Sequence, residues 1–218
     1  MQVPARRPGD GGSAALRRED YLALEDEASV IRCYAPGVVP ELLQTAAYAH
    51  AVSAIGRPES TARIQHRVEL LMRRQRELLD RPDPAKLWVV IEEGALRRPF
   101  GGLEAWRDQL AHLVDSVARQ NITVQLMPDH AGGPAICTVP FTVLRFDDPV
   151  RGDIVHLHHA AGAQFLGDRA DLDTYHAIWD RLCVHAMPPE YTGELITALT
   201  AGWAETVGPA ERIHRGDH

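Results

Sequence analysis

Several classes of protein are excluded by what this sequence has little of. Positive charge is scarce: 23 Lys and Arg face 30 Asp and Glu, a formal net charge of −7. Such a surface repels a phosphate backbone, so whole-molecule charge gives no support to nucleic-acid binding. Cysteine is nearly absent. Cys33, Cys137 and Cys183 are odd in number and have no C-x-x-C spacing, which points to reduced, buried thiols rather than disulfides or a zinc knuckle. No apolar run approaches the ~18 residues of a membrane span. Arg6 and Arg7 are not followed by an apolar segment, so no secretory signal is expected. There is no G-x-S-x-G elbow, no Walker loop and no glycine-rich dinucleotide fingerprint. The composition, 45% hydrophobic and 24% charged, is that of an ordinary globular domain expected in the cytoplasm.

What is present is organised around Lys86–Phe146. Leu87-Trp88-Val89-Val90-Ile91 is a β-branched apolar run closed off upstream by Pro82 and Pro84. After Gly101-Gly102, Leu103, Trp106, Leu110, Leu113, Val114 and Val117 recur at helical spacing, with Asn121 as a cap. Ile122–Met127 reads as a second strand, parallel to the first across the helical crossover. Gly132-Gly133-Pro134 reads as a loop and Phe141–Phe146 as a third strand. Gly101-Gly102 and Gly132-Gly133 are expected to be turn glycines rather than phosphate cradles.

The flanks are read as helices. Residues 1–18 are expected to be a disordered tail. Residues 19–80 are expected to form an N-terminal helical subdomain: a helix over Tyr21–Tyr34, one opening at Pro40 and running through Tyr48 towards Val52, and a long one over Ala62–Leu79. The long helix carries Arg63, Arg67, Arg73, Arg74 and Arg76, taken as a solvated side supported by Glu69 and Glu77. Residues 86–204 are expected to form a mixed-sheet domain with C-terminal helices, one striped by Leu172, Tyr175, Ile178, Trp179 and Leu182 and one from Glu190 to Trp203. The expected fold is α+β, a small mixed sheet of four or five strands flanked by N-terminal and C-terminal helices.

Val39-Pro40-Glu41-Leu42-Leu43-Gln44-Thr45-Ala46-Ala47-Tyr48-Ala49 resembles the "IPGLLQT..YA" signature of a domain of unknown function that follows the helix-turn-helix of many actinobacterial XRE-family regulators. Arg74-Gln75, Ile91–Leu96 with Gly101, Gln109-Leu110, Val124–Pro128, Gly132 and Phe141–Phe146 extend the resemblance, which runs from about Tyr21 to about Ile196. It implies a regulatory domain that responds to a small molecule or a small partner protein. The residues before Tyr21 are too few for a helix-turn-helix, so direct DNA binding is not expected. Two departures stand out. Glu41 replaces a glycine, and Ile154-Val155-His156-Leu157-His158-His159 replaces a "VVYVE" segment, exchanging a tyrosine and a carboxylate for imidazoles.

The chemistry-bearing candidates follow from these elements. On a strand His156 and His158 share one face, and a neutral imidazole could accept a proton at pH 7 with Glu92 as carboxylate partner. An H-x-H pair alone is a weak metal signal, so no metal and no cofactor is expected. Trp88, Trp106, Phe141, Phe146 and Trp179 are the expected ligand-contacting aromatics of a pocket between sheet and helices. Three functions remain open, the third being a pure protein-interaction partner, antitoxin-like, behind the following two. One is a sensor or adaptor without its own DNA-binding module, binding a small molecule or a small partner protein, with a homodimer allowed. The other is a regulator domain turned cofactor-independent natural-product enzyme, catalysing cyclisation or condensation by acid–base groups in an apolar pocket.

Overall fold

The computed structural model describes residues 18–56, 59–131, 136–148, 150–159 and 162–207. The expected N-terminal tail, the Arg57-Pro58 turn, the Gly132-Gly133-Pro134 loop and the polar C-terminus lie outside the described residues.

A six-stranded mixed sheet carries the fold, one or two strands more than the sequence suggests. Its strands are β1 (Val30–Ala35), β2 (Lys86–Glu92), β3 (Ile122–Met127), β4 (Phe141–Arg145), β5 (Ile154–His159) and β6 (Gly162–Leu166), in the spatial order β3-β2-β1-β4-β5-β6. Strands β1, β2 and β3 are mutually parallel, while β4, β5 and β6 continue the sheet antiparallel. The described helices are α1 (Arg18–Glu27), α2 (Ala46–Gly56), α3 (Thr61–Leu79), the short α4 (Glu93–Leu96), α5 (Gly102–Val117), α6 (Arg169–His185) and α7 (Thr192–Val207).

The expected helix over Tyr21–Tyr34 is corrected to α1 followed by β1. Leu24, Ala28 and Ile31 fall at helical spacing, but the chain turns at Ala28-Ser29, and Ile31, Cys33 and Ala35 then alternate with Arg32 and Tyr34. Placed between β2 and β4, β1 fills its backbone bonds on both sides, which a continued helix would forgo. Strand β6 has only a short apolar pattern beginning at Gly162. It is held by pairing with β5, from Val155 opposite Leu166 to His159 opposite Gly162.

The helix expected from Pro40 onwards is corrected to a single 3-10 turn over Glu41–Leu43, an extended Gln44-Thr45 step, and α2. Three glutamines hold the break open. Gln44 Nε2 donates to Val39 O at 2.6 Å, and Gln75 Nε2 donates to the carbonyls of Glu41 and Gln44. Gln109, fully buried, accepts from Thr45 N and donates to Leu43 O, both at 2.7 Å. Asn121 does not cap α5. Its side-chain amide donates to the carbonyls of Leu79 and Ala85, pinning the α3–β2 connection.

Side-chain alternation divides the apolar residues into two main layers. On one face Ile31, Leu87, Val89, Ile91, Ile122, Val124, Leu126 and Leu144 pack with Leu24, Tyr48, Leu78, Leu96, Trp106, Leu110, Leu113 and Ile196 from α1–α5 and α7. On the other, Tyr34, Val90, Met127, Phe141, Val143 and Val155 meet Trp179, Leu182 and Ala186 of α6 and its exit. Burying each large side chain contributes about 1.5–3 kcal/mol against the chain entropy it costs to order. The outer edge of β3 is covered by the α6–α7 connection: Met187 N donates to Leu126 O and Thr192 Oγ1 to Val124 O. No helix among the described residues is long and apolar enough to cross a membrane.

Arg74 is not on a solvated helix side. It forms ion pairs with Glu25, whose side chain is 1% exposed, and with Glu41. Glu41, a departure from the resembled signature, thus supplies a second carboxylate to this guanidinium. Arg67 pairs with Glu59 and Arg73 with Glu77, as a solvated helix side would have them.

Candidate functional site

The carboxyl ends of parallel strands are where open sheets place their ligand crevices, because the connecting loops diverge there. Here those ends bring Tyr34, Glu92 and Met127 to one face, with the loop after β3 and α4 above them. Glu92 is buried, at 4% exposure, and the Tyr34 phenol is fully buried. Tyr34 Oη lies 2.6 Å from Glu92 Oε1 and 2.9 Å from the Cys137 carbonyl oxygen. Burial raises the Glu92 pKa above the usual carboxylate range. The Tyr34 hydrogen bond opposes that shift and the nearby Asp129 charge adds to it. Burial also drives the Tyr34 phenol well up, and its bond to Glu92 drives it further.

Glu93, the next residue, turns the other way. It pairs with Arg97 one helical turn on and accepts a hydrogen bond from Asp129 N. Arg97 Nε lies 3.8 Å from Asp129 Oδ2. Glu93 and Arg97 rim a cavity of about 690 Å3. Leu126, Pro128, Met187, Leu195, Ala198 and Leu199 line its apolar wall, and Glu93, Arg97 and His130 supply its polar part. A second, more open groove of about 660 Å3 runs between α5 and α7, and Ala198 borders both.

The residues expected to act together are dispersed. Glu92 shares its strand face with Trp88 and Val90, beneath α6. His156 is on the opposite face, where its ring stacks on Tyr21 with centroids 4.1 Å apart and lies 4.9 Å from Phe165. An imidazole there cannot exchange a proton with Glu92, because the sheet lies between them. The backbone of His158 pairs with Ala163 in β5–β6, while its side chain lies outside the described residues.

Of the five aromatics, Trp88, Phe141 and Trp179 meet beneath α6. Trp179 is edge-on to Trp88 at 5.8 Å and to Phe141 at 6.4 Å. Trp106 is buried in the other layer and donates Nε1–H to Leu96 O at 2.7 Å. Phe146 packs on that same layer, covered by the Arg151 guanidinium 3.7 Å from its ring centroid. None of the five lines either cavity.

Sequence reasoning passes over Tyr34, Arg97, Asp129 and His130. The adjacent carboxylates Glu92 and Glu93 were the available signal, the first closing β2 and the second opening α4, so that they serve two environments. Burial pushes the Cys33 thiol up to about 12 and the Cys183 thiol up to about 11, so neither of these two is a ready nucleophile. Among the described residues no group of three or more His, Cys, Asp or Glu side chains is placed to hold a metal ion.

The structure therefore defines a mixed α+β domain with an apolar, charge-rimmed cavity at the carboxyl end of its parallel strands. The chain belongs to the family described as Domain of unknown function (DUF5753), whose model matches residues 18–198. No curated protein and no solved structure matches it.

Proposed function

We propose that this domain is a sensor or adaptor that binds a small amphipathic molecule in the cavity between α4, the end of β3 and α7. In this reading it derives from the ligand-responsive part of an actinobacterial XRE-type regulator and acts through partners rather than by touching DNA itself. The observation that carries the proposal is the cavity. About 690 Å3 lies within the range typical of small-molecule sites, and an apolar wall with a few convergent polar groups is their usual lining. The enzymatic alternative gains nothing from the geometry, since its acid–base residues Glu92 and His156 occupy opposite faces of the sheet.

The test uses the neutral apolar dye Nile red. It is expected to bind the chain saturably and to be excluded by Ala198→Trp, which places an indole across the cavity from an exposed helix position. Thermal unfolding of the variant checks that it is folded. Equal Nile red binding by the folded variant, or no saturable binding by the parent chain, overturns the proposal.

A further inference from the structure

The charged side chains that line the cavity cancel. Glu93 and Arg97 pair with each other and leave no net charge between them. Their hydrogen-bonding capacity does not cancel. Both oxygens of Glu93 are engaged: Oε1 accepts from Arg97 Nη2, and Oε2 accepts the backbone N–H of Asp129 at 3.2 Å. Arg97 is engaged on one side, and its Nη1 has no partner among the described residues. His130, the third polar side chain of the lining, likewise has no hydrogen-bond partner among them. The Asp129 carboxylate lies outside the lining, 61% exposed and 3.8 Å from Arg97 Nε, where solvent screens it. The apolar wall of Leu126, Leu195 and Leu199 therefore adjoins unused N–H donors and no carboxylate oxygen without a partner.

We infer that the cavity takes uncharged amphiphiles whose polar end is a hydrogen-bond acceptor, a ketone or ester carbonyl seated at Arg97 Nη1 with its apolar body along Leu126, Leu195 and Leu199. This rests on the proposed ligand-binding role and specifies the chemical class bound. A carbonyl accepts from the guanidinium and gives up little hydration in doing so. A carboxylate accepts there too, but it sheds the hydration of an ion and meets Glu93 bonded to the same guanidinium. An ammonium sheds as much, finds no partnerless carboxylate oxygen and meets Arg97. The carbonyl compound therefore binds first, with both ions behind it.

Isothermal titration with methyl hexyl ketone, octanoate and octylammonium distinguishes these. The ketone is expected to bind the parent chain about tenfold more tightly than either ion. Glu93→Gln leaves Arg97 without its counter-charge, and is expected to strengthen octanoate about tenfold while the ketone stays within about twofold. Arg97→Met removes the donors and leaves Glu93 unpaired, so the ketone is expected to weaken and octylammonium to strengthen. Thermal unfolding checks that both variants are folded. The neutral-acceptor assignment is overturned, with the cavity standing, if either ion binds the parent chain as tightly as the ketone. It is overturned equally if folded Glu93→Gln binds octanoate no better than the parent, or if folded Arg97→Met binds the ketone unchanged. It also falls if none of the three binds while Nile red is still excluded by Ala198→Trp. If none of the three binds and Nile red is not excluded by Ala198→Trp, the cavity reading itself falls.

Discussion

Tyr34 Oη lies 2.6 Å from Glu92 Oε1, deep beneath α6, and the same oxygen lies 2.9 Å from the Cys137 carbonyl. A phenol has one proton and here has two acceptors. The phenol donates to Glu92 Oε1 or to the Cys137 carbonyl oxygen, and protonation of Glu92 releases it towards Cys137.

This proton has a pH signature. The folded-state pKa of Glu92 is raised, so the protonated form favours the folded chain. That stability is fully present below the unfolded carboxylate value of ~4.3 and is lost as pH rises through the folded value. Glu92→Gln keeps a donor towards Tyr34 without a charge to bury. At about pH 8 it is expected to exceed the parent chain in urea unfolding, with the difference closing by about pH 4. Parallel curves for the two proteins would refute the protonated state. Tyr34→Phe, which strands both partners, is expected to cost roughly 1–3 kcal/mol.

Arg74 holds α1 and the Glu41 turn against α3 through a guanidinium only 14% exposed. Arg74→Ala leaves the Glu25 carboxylate buried without its cation, a loss expected at roughly 3–5 kcal/mol. Replacing both, Arg74→Met with Glu25→Leu, is expected to recover most of it. Urea midpoints for the three variants and the parent measure this, and a double variant as weak as Arg74→Ala would argue against stranded charge as the cause.

Gln109 joins two otherwise unpaired backbone groups across the break before α2. Gln109→Ala orphans Thr45 N and Leu43 O and is expected to cost about 3 kcal/mol. Gln109→Glu keeps the acceptor and is expected to lose less. Equal losses would mean that the retained acceptor for Thr45 N contributes nothing.

Gly101 and Gly102 both adopt positive φ, +80° and +87°. They differ in what surrounds them. A Cβ on Gly101 would lie 3.0 Å from Ala105 Cβ and 3.1 Å from Ala51 Cβ, whereas a Cβ on Gly102 meets nothing within 4 Å. Gly102→Ala is therefore expected to cost about 1 kcal/mol in left-handed strain, and Gly101→Ala clearly more because α2 and α5 must separate. Melting temperatures of the two variants decide, and a reversed order would sink the packing argument.

The sequence by itself determined the local pieces. The β-branched run at Leu87–Ile91, the apolar stripe from Leu103 to Val117 and the strand at Ile122–Met127 each declare their period within one element, so β2, α5 and β3 are legible. The parallel crossover follows from their spacing. The family resemblance is legible on the same terms, and three glutamines within it, Gln44, Gln75 and Gln109, prove to fasten the Pro40–Thr45 segment. Tertiary pairing decided the rest. Ile31 fits a helical stripe with Leu24 and Ala28, and only a place between β2 and β4 makes Val30–Ala35 a strand. Strand β6 is short and begins at glycine, so its state depends on β5. Alternation along one strand puts Glu92 with Trp88 and Val90. Whether His156 joins them depends on how two distant strands face one sheet, and pairing puts His156 behind it. The cavity rim is non-local for the same reason: Glu93, His130 and Leu195 meet because helices and loops from three parts of the chain converge at the end of β3.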